Sequence, residues 1–348
     1  MKIIYSENSS QIMEQFFIPY FLRTDSETGL DFSNRERKVL ENVLPIMEEL
    51  RQLLLPYKEK IERYYLMGYG LSFLHSVYLD MMNGGVEVSN TEDVHAKCLC
   101  LTEEEIREHL KILLNTEWDR MDKNTDFEEL LDLSTAKPET KWHFSQFYRK
   151  PIESIQELVQ LSRELISLYQ PYFEQGRTER QAYAQTFSLP DFIEQVPILS
   201  HYSWEFAVEE EIFLYITSPW LVTLQTYETR SGSKPLHYFI VSCRIEHILG
   251  EKEELDTEEF AAVLKVISDA TRYNILVELT KPHAKSKDIA KDLDITGAAV
   301  SFHTQKLLNA QLLLLNREDK YVKYDVNKNL LQAVITKLQD DFELGNEQ

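Results

Sequence analysis

The chain of 348 residues is long enough for two or three domains with sizeable cores. Its composition, with 43% hydrophobic and 27% charged residues, is that of a globular protein and excludes a disordered, collagen-like or disulfide-stapled chain. The formal net charge of −21, from 37 Lys and Arg against 58 Asp and Glu, excludes nucleic acids and anionic membranes as partners if the charge is evenly spread.

The charge is unevenly distributed along the chain. Residues 261–340 contain 12 Lys and Arg against 9 Asp and Glu, whereas residues 1–260 contain 25 against 46. The sequence therefore predicts an acidic body followed by a mildly basic block of about 80 residues. Such an asymmetry indicates two parts that meet different partners.

Cysteine usage and hydropathy indicate the compartment. The three cysteines are an odd and small number, which fits a reducing cytosol better than a disulfide framework. The first residues lack the apolar core of a signal peptide, and no apolar run approaches the ~18 residues that span a bilayer. We expect a cytoplasmic protein without a membrane partner.

The N-terminal part of the body shows helical patterns. Ser33 and Glu36 have the spacing of a capping box, in which each side chain accepts a backbone N–H at the start of a helix. Apolar residues at helical spacing follow them, and Pro45 is expected to kink or interrupt this helix.

Two further helices are predicted before the strands. Thr102 and Glu105 have capping-box spacing ahead of the first of them. A long helix starts near Ile152, and Pro171 is expected to break it because proline lacks the backbone N–H that a helix interior needs.

Strands are predicted late in the body. Residues 212–216 are apolar, residues 220–227 are rich in β-branched and aromatic side chains, and residues 236–245 alternate, with Phe239, Val241, Cys243 and Ile245 on one face. The turn-forming sequence Ser231-Gly232-Ser233 joins the last two segments and predicts a β-hairpin. We expect an α+β fold, in which a mostly helical N-terminal body over residues 1–250 ends in a late β-hairpin or small sheet.

The body offers little that indicates catalysis. It has no Gly-rich phosphate loop, no Gly-x-Ser-x-Gly and no His-Glu-x-x-His, and ten glycines in the whole chain leave little room for such loops. His95, Cys98 and Cys100 can supply soft metal ligands or redox thiols, but a second pair at matching spacing is missing. We predict no enzymatic activity, no cofactor and no metal, leave a redox role of the two cysteines open, and expect the body to dimerise or to sense a small-molecule ligand.

The predicted linker over residues 251–259 contains a run of acids and a new helix start, and the C-terminal domain spans residues 260–342. Its first helix carries an apolar stripe of Phe260, Val263, Leu264 and Ile267, which forms either a dimer seam or the core of its own domain.

Two helices joined by a tight turn come next. A short helix precedes the turn Asp294-Ile295-Thr296, and residues 297–310 form the second helix. Two helices joined by so short a turn have the spacing of a helix-turn-helix. Residues 312–316 and 321–326 predict a hairpin with one apolar face, and residues 330–342 predict a last helix.

These residues resemble the winged-helix domain of the ArsR family of transcriptional regulators. The specific parts are Asp269-Ala270-Thr271-Arg272 at a helix start and Val300-Ser301-Phe302-His303 in the second helix of the helix-turn-helix. The resemblance covers about 80 residues and departs from the family at Thr304 and Gln311, where Leu and Gly are frequent. The segments that hold metal in sensing members offer no Cys or His here, so no family-type metal site is expected.

The resemblance implies a recognition helix over residues 297–310 that enters the major groove. Its first small residues allow close approach, and its polar residues can bond bases or phosphates. The candidate residues on or beside it are Thr296, Gly297, Ala298, Ala299, Ser301, His303, Gln305 and Lys306. Further phosphate contacts are expected from Lys285, Lys287, Arg317, Lys320 and Lys323.

The predicted function is a one-component, ArsR-like transcriptional regulator that binds double-stranded DNA as a homodimer reading two half-sites. Alternatives stay open at single residues, since His303 can be packed in the core and the lysines can form an ordinary solvated face. Arg272 is expected to pair with an acid and to be structural. The alternative for the whole protein is an interaction adapter that uses its winged helix without binding DNA.

Overall fold

The computed structural model describes most of the chain. The described residues are 2–22, 34–68, 70–114, 126–134, 136–196, 211–231, 234–249, 257–281, 286–315, 324–342 and 344. They divide into two compact units. The first contains the described residues of 2–22, 42–186 and 211–244, and the second contains those of 34–41, 187–196 and 245–344.

The described elements are mostly helices with small sheets, so the predicted α+β mixture is confirmed. The α-helices are α1 (Glu7–Gln15), α2 (Asn34–Val39), α3 (Leu44–Leu54), α4 (Lys58–Tyr64), α5 (Phe73–Asn83), α6 (Thr91–Leu99), α7 (Glu103–Leu114), α8 (Phe127–Leu133), α9 (Pro138–Arg149), α10 (Pro151–Gln175), α11 (Arg177–Thr186), α12 (Leu189–Gln195), α13 (Ile245–Leu249), α14 (Thr257–Ile267), α15 (Ala270–Leu279), α16 (Ser286–Asp292), α17 (Gly297–Asn309) and α18 (Lys328–Asp341). The strands are β1 (Lys2–Tyr5), β2 (Met67–Gly68), β3 (Leu71–Ser72), β4 (Glu211–Thr217), β5 (Leu224–Ser231), β6 (Lys234–Ser242), β7 (Leu313–Leu315) and β8 (Tyr324–Val326). Short 3-10 helices lie at Ile18–Leu22 and Leu55–Tyr57.

The first unit contains a four-stranded mixed sheet with the order β1-β4-β6-β5. β5 and β6 pair antiparallel from Leu224↔Val241 to Ser231↔Lys234, which confirms the predicted hairpin. β1 and β4, and β4 and β6, pair in parallel. The N-terminal strand β1 was not predicted, because four residues carry too little pattern to reveal pairing with a segment 209 residues away.

The predicted one-sided alternation of residues 236–245 is wrong. β6 ends at Ser242, and Ile245 begins α13. Tyr238, Phe239, Ile240 and Val241 are all at most 1% exposed. Since successive side chains of a strand point to opposite faces, β6 is covered on both faces.

The helix starts of the first unit follow local signals. The Thr102 N–H donates to Glu105 Oε2 at 2.7 Å and the Glu105 N–H to Thr102 Oγ1 at 3.3 Å, so the predicted capping box at α7 is confirmed. Residues 40–43 separate α2 from α3, and Pro45 lies in the first turn of α3, which confirms the predicted interruption.

The predicted break at Pro171 is wrong, since α10 runs through it to Gln175. A proline inside a helix costs about 3 kcal/mol. Phe173, in the turn that follows, is completely buried, and its carbonyl accepts an N–H from Arg180 at 2.8 Å. Burying a phenylalanine contributes about 1.5–3 kcal/mol, so packing of this last turn offsets much of the cost.

The second unit has a core built by α14 to α18 and the β7–β8 pair. Phe260 and Val263 of the apolar stripe are buried in this core, and Leu264 and Ile267 pack against it. The stripe is therefore used inside the unit, which favours the core alternative over the dimer seam.

The order of elements in the C-terminal block agrees with the prediction. α16 and α17 are separated by residues 293–296, and β7 pairs antiparallel with β8 from Leu313↔Val326 to Leu315↔Tyr324. Ser33, most of the predicted linker and the hairpin tip over residues 316–323 lie outside the described residues. Among the described helices, none is long and apolar enough to cross a membrane.

Candidate functional site

The helix α17 is held in place by a cap and by a buried face. Thr296 is its N-cap, and its Oγ1 accepts the Ala299 N–H at 3.1 Å. Val300 and Leu307 are at most 1% exposed and belong to the core of the second unit. In the preceding turn Asp294 has a φ of 53°, a conformation that a short polar side chain tolerates.

The opposite face of α17 is open to solvent. Gly297, Ala298, Ser301, Phe302 and Gln305 are exposed. Because successive residues of an α-helix are rotated by about 100°, the side chains at 298, 302 and 305 lie on one side. Ser301 and His303 lie on opposite flanks of that side, so they do not act at one point.

His303 lies on the flank that faces the start of α15. Its side chain is 18% exposed, and its Nδ1 lies 4.0 Å from Asp269 Oδ1. That nitrogen is buried and has no hydrogen-bond partner among the described residues. The position favours the packed alternative for this histidine over direct contact with a base.

Asp269 and Arg272 form the junction that His303 approaches. Asp269 Oδ1 accepts the Arg272 N–H at 2.9 Å, and Asp269 Oδ2 lies 3.6 Å from Arg272 Nη1. The backbone hydrogen bond from Arg272, followed by the charges of Arg272 and His303, lowers the pKa of Asp269. Arg272 Nε also donates to the Val266 carbonyl at 2.5 Å. The expected pairing of Arg272 with an acid is present, and the pair joins the end of α14 to the start of α15.

The charge on α17 differs from that of the rest of the protein. Between Gly297 and Asn309 there is no Asp or Glu, whereas every other described α-helix contains at least one. Lys306 Nζ lies 5.8 Å from the centre of the Phe302 ring. In a chain with a net charge of −21, α17 therefore presents an exposed face without a negative side chain of its own.

The remaining predicted residues fall into three groups. Gln305 is exposed, and its Nε2 donates to Asn309 Oδ1 at 2.9 Å, while Ala299 and Lys306 are half-buried. Lys287 lies in the first turn of α16. The predicted phosphate contacts Lys285, Arg317, Lys320 and Lys323 lie outside the described residues. Phe302 is exposed as well, but it is absent from the predicted site residues. Its exposure follows from helix geometry, because two steps of about 100° separate it from the buried Val300.

The three candidate soft ligands of the body, His95, Cys98 and Cys100, differ in their burial. His95 Nδ1 lies 3.1 Å from Glu92 Oε1, and His95 Nε2 lies 3.0 Å from Ser162 Oγ. Cys98 is buried, and burial raises the pKa of its thiol to about 12, which disfavours the reactive thiolate. Cys100 is exposed. Within the described residues, no three His, Cys, Asp or Glu side chains come together as a metal site.

An open groove of about 500 Å³ lies beside this histidine in the body. Arg163 and Glu92 line this groove, and Arg163 Nη2 donates to Glu92 Oε2 at 2.7 Å. This hydrogen bond lowers the pKa of Glu92 to about 2. The two charges neutralise each other, so the groove presents no unpaired charge from this pair to a ligand.

Part of the chain is similar to a known transcriptional repressor. No family model matches the chain. A stretch of 73 residues, 21% of this chain, is 33% identical to the transcriptional repressor SdpR of Bacillus subtilis (strain 168) and covers 81% of that protein.

Proposed function

The chain belongs, over this stretch of 73 residues, to the family of the repressor SdpR, and we propose from this premise that it is a DNA-binding transcriptional regulator. The length of the match is close to that of the C-terminal block of about 80 residues, to which we assign it. The block is then an ArsR-like winged helix-turn-helix, with α16 and α17 as the helix-turn-helix and β7–β8 as the base of the wing.

The observation that carries the proposal is the acid-free, exposed face of α17. DNA repels carboxylates, and the phosphate backbone supplies much of the affinity of its ligands. Among the described α-helices, α17 alone contains no acid, and it is the helix that we assign as the recognition helix. An adapter would need this absence of negative charge only for an acidic partner.

The proposal extends to the mode of DNA binding, the dimer, the role of the body and the compartment. α17 enters the major groove, and the chain binds as a dimer because one such domain covers only one half-site. The body supplies the dimer contacts or a ligand signal, and the protein acts in the cytoplasm. The runner-up remains an adapter whose winged helix contacts another protein.

Lys306→Ala in the full-length chain tests the proposal. Operator fragments are first selected from genomic DNA, and binding is measured by fluorescence anisotropy at several salt concentrations. We expect weaker binding to every sequence and a salt slope that falls by about 1, because one phosphate contact is lost. Lys328→Ala, which removes an exposed lysine from the start of α18, is the control and should leave the slope unchanged.

One result decides against the regulator, and another decides against the role of α17 in it. One is that no fragment binds the unaltered chain better than competitor DNA at moderate salt, which leaves the adapter. The other is that Lys306→Ala and Lys328→Ala change the salt slope equally, which means that the lysine of α17 has no special place in the complex.

A further inference from the structure

Phe302 has an exposure that packing within the protein does not explain. Its side chain is 54% exposed, whereas the other large apolar side chains of α17 are at most 7% exposed. Its ring and the His303 ring are nearly perpendicular, with centroids 5.4 Å apart, and the centre of its ring lies 5.8 Å from Lys306 Nζ. Contact between apolar surface and water is unfavourable. A partner that covers the Phe302 ring therefore lowers the free energy of the complex.

The neighbours of Phe302 restrict what this partner can be. Rotation by about 100° per residue places Ala298 and Gln305 on one side of the ring and Lys306 on the other. Gln305 donates to Asn309, so two carboxamides lie one to two turns beyond the ring. The neighbours of the ring on α17 are therefore a methyl group, two carboxamides and an ammonium group. α17 itself contains no carboxylate.

This combination matches the major groove of DNA. The groove presents donors and acceptors at every base pair, and the C5 methyl group of thymine is the apolar group among them. Carboxamides fit base edges and an ammonium group fits phosphate, while a phenyl ring fits the methyl group. A hydrophobic pocket of a protein would cover the ring equally well, but it would not bind the carboxamides and the ammonium group in this way.

We propose that Phe302 determines sequence specificity by contacting the C5 methyl group of a thymine in the major groove. The inference rests on the proposed function and deepens it, because it predicts a thymine in each half-site opposite the middle of α17. It concerns the base that is read, whereas the proposed function concerns only whether DNA is bound.

Uracil substitution tests this contact with the full-length chain. Each thymine of the best selected fragment is replaced in turn by deoxyuridine, which removes the methyl group and keeps the base pair. We expect one position in each half-site to weaken binding roughly fourfold, the fold-change for losing one buried methyl group. Phe302→Ala should bind the thymine fragment more weakly and should show no further loss with uracil at that position.

Two variants serve as controls. Phe302→Leu keeps an apolar side chain and should retain part of the uracil penalty. Phe342→Ala removes another phenylalanine of the second unit that is 68% exposed, and it should keep the full penalty. If Phe302→Ala fails to fold, Phe302→Leu replaces it, and a full uracil penalty in Phe302→Leu then overturns the proposal.

The proposal is overturned if the unaltered chain binds its fragment and no uracil substitution matters. It is also overturned if Phe302→Ala retains the fourfold penalty, because another group then reads the methyl. Failure of the proposed function looks different, since in that case the unaltered chain prefers no fragment over competitor DNA.

Discussion

His303 lies where a recognition helix could read bases, yet its side chain turns towards the protein. It is 18% exposed, and its Nδ1 lies 4.0 Å from Asp269 Oδ1. Ser301, on the opposite flank of α17, is exposed. The same helix thus holds one polar residue that faces the junction of α14 and α15 and another that faces solvent.

We expect His303→Ala to lower stability and to leave the base preference unchanged. Loss of a partly buried side chain beside Asp269 should cost about 1 kcal/mol of unfolding free energy, measured by urea denaturation. The order of preference among single-base variants of the selected fragment should stay the same. Ser301→Ala is the matched control, and it should leave stability unchanged within about 0.5 kcal/mol. A relaxed preference in His303→Ala at unchanged stability would show that the histidine reads a base.

At the scale of elements, α17 depends on its first residue. The Thr296 hydroxyl satisfies the Ala299 N–H, one of the backbone donors that a helix start leaves without a partner. The exposed residues 297 and 298 follow directly, so fraying of the first turn would displace the part of the helix that is proposed to approach the bases.

Thr296→Ala should therefore lower both stability and operator affinity. Losing an N-cap of this kind costs about 1 kcal/mol, which thermal or urea denaturation can measure. Thr296→Ser retains a hydroxyl group and should preserve both properties. If Thr296→Ala loses stability but binds the operator as before, the first turn of α17 lies outside the complex.

Elements that carry their own signals could be predicted from the sequence. Thr102 with Glu105 marks the start of α7, and Thr296 marks the start of α17, because a cap needs only residues within one turn. The continuation of α10 through Pro171 could not be predicted, because it depends on the burial of Phe173 in the folded unit. The predicted residues of the candidate site include the exposed Ala298 and Gln305 but not Phe302, which helical periodicity would have added. The turn of His303 towards Asp269 required the position of a separate helix.

At the scale of the whole molecule, the described residues of this acidic chain form two compact units. The exposed face of α17 belongs to the second unit, and the buried polar network of Arg180 belongs to the first. Arg180 Nη1 donates to the Phe173 carbonyl at 2.8 Å and to Ser218 Oγ at 2.7 Å, and Arg180 Nη2 donates to Glu7 Oε1 at 2.9 Å. A change in this network should act on the body before it acts on DNA binding.

Gly176→Ala tests this expectation. A Cβ at this position would lie 2.8 Å from Arg180 Nη1 and 3.0 Å from Ser218 Oγ, and both side chains are completely buried and hydrogen-bonded to each other. Overpacking of this kind costs about 2 kcal/mol, so calorimetry should show a lower melting temperature. Gly84→Ala is the matched control, because it also follows a helix and its Cβ would meet nothing closer than 3.4 Å.

At temperatures where Gly176→Ala is folded, its operator affinity should equal that of the unaltered chain. A parallel loss of affinity would mean that α17 needs an intact body to bind, as a dimer formed through the first unit requires.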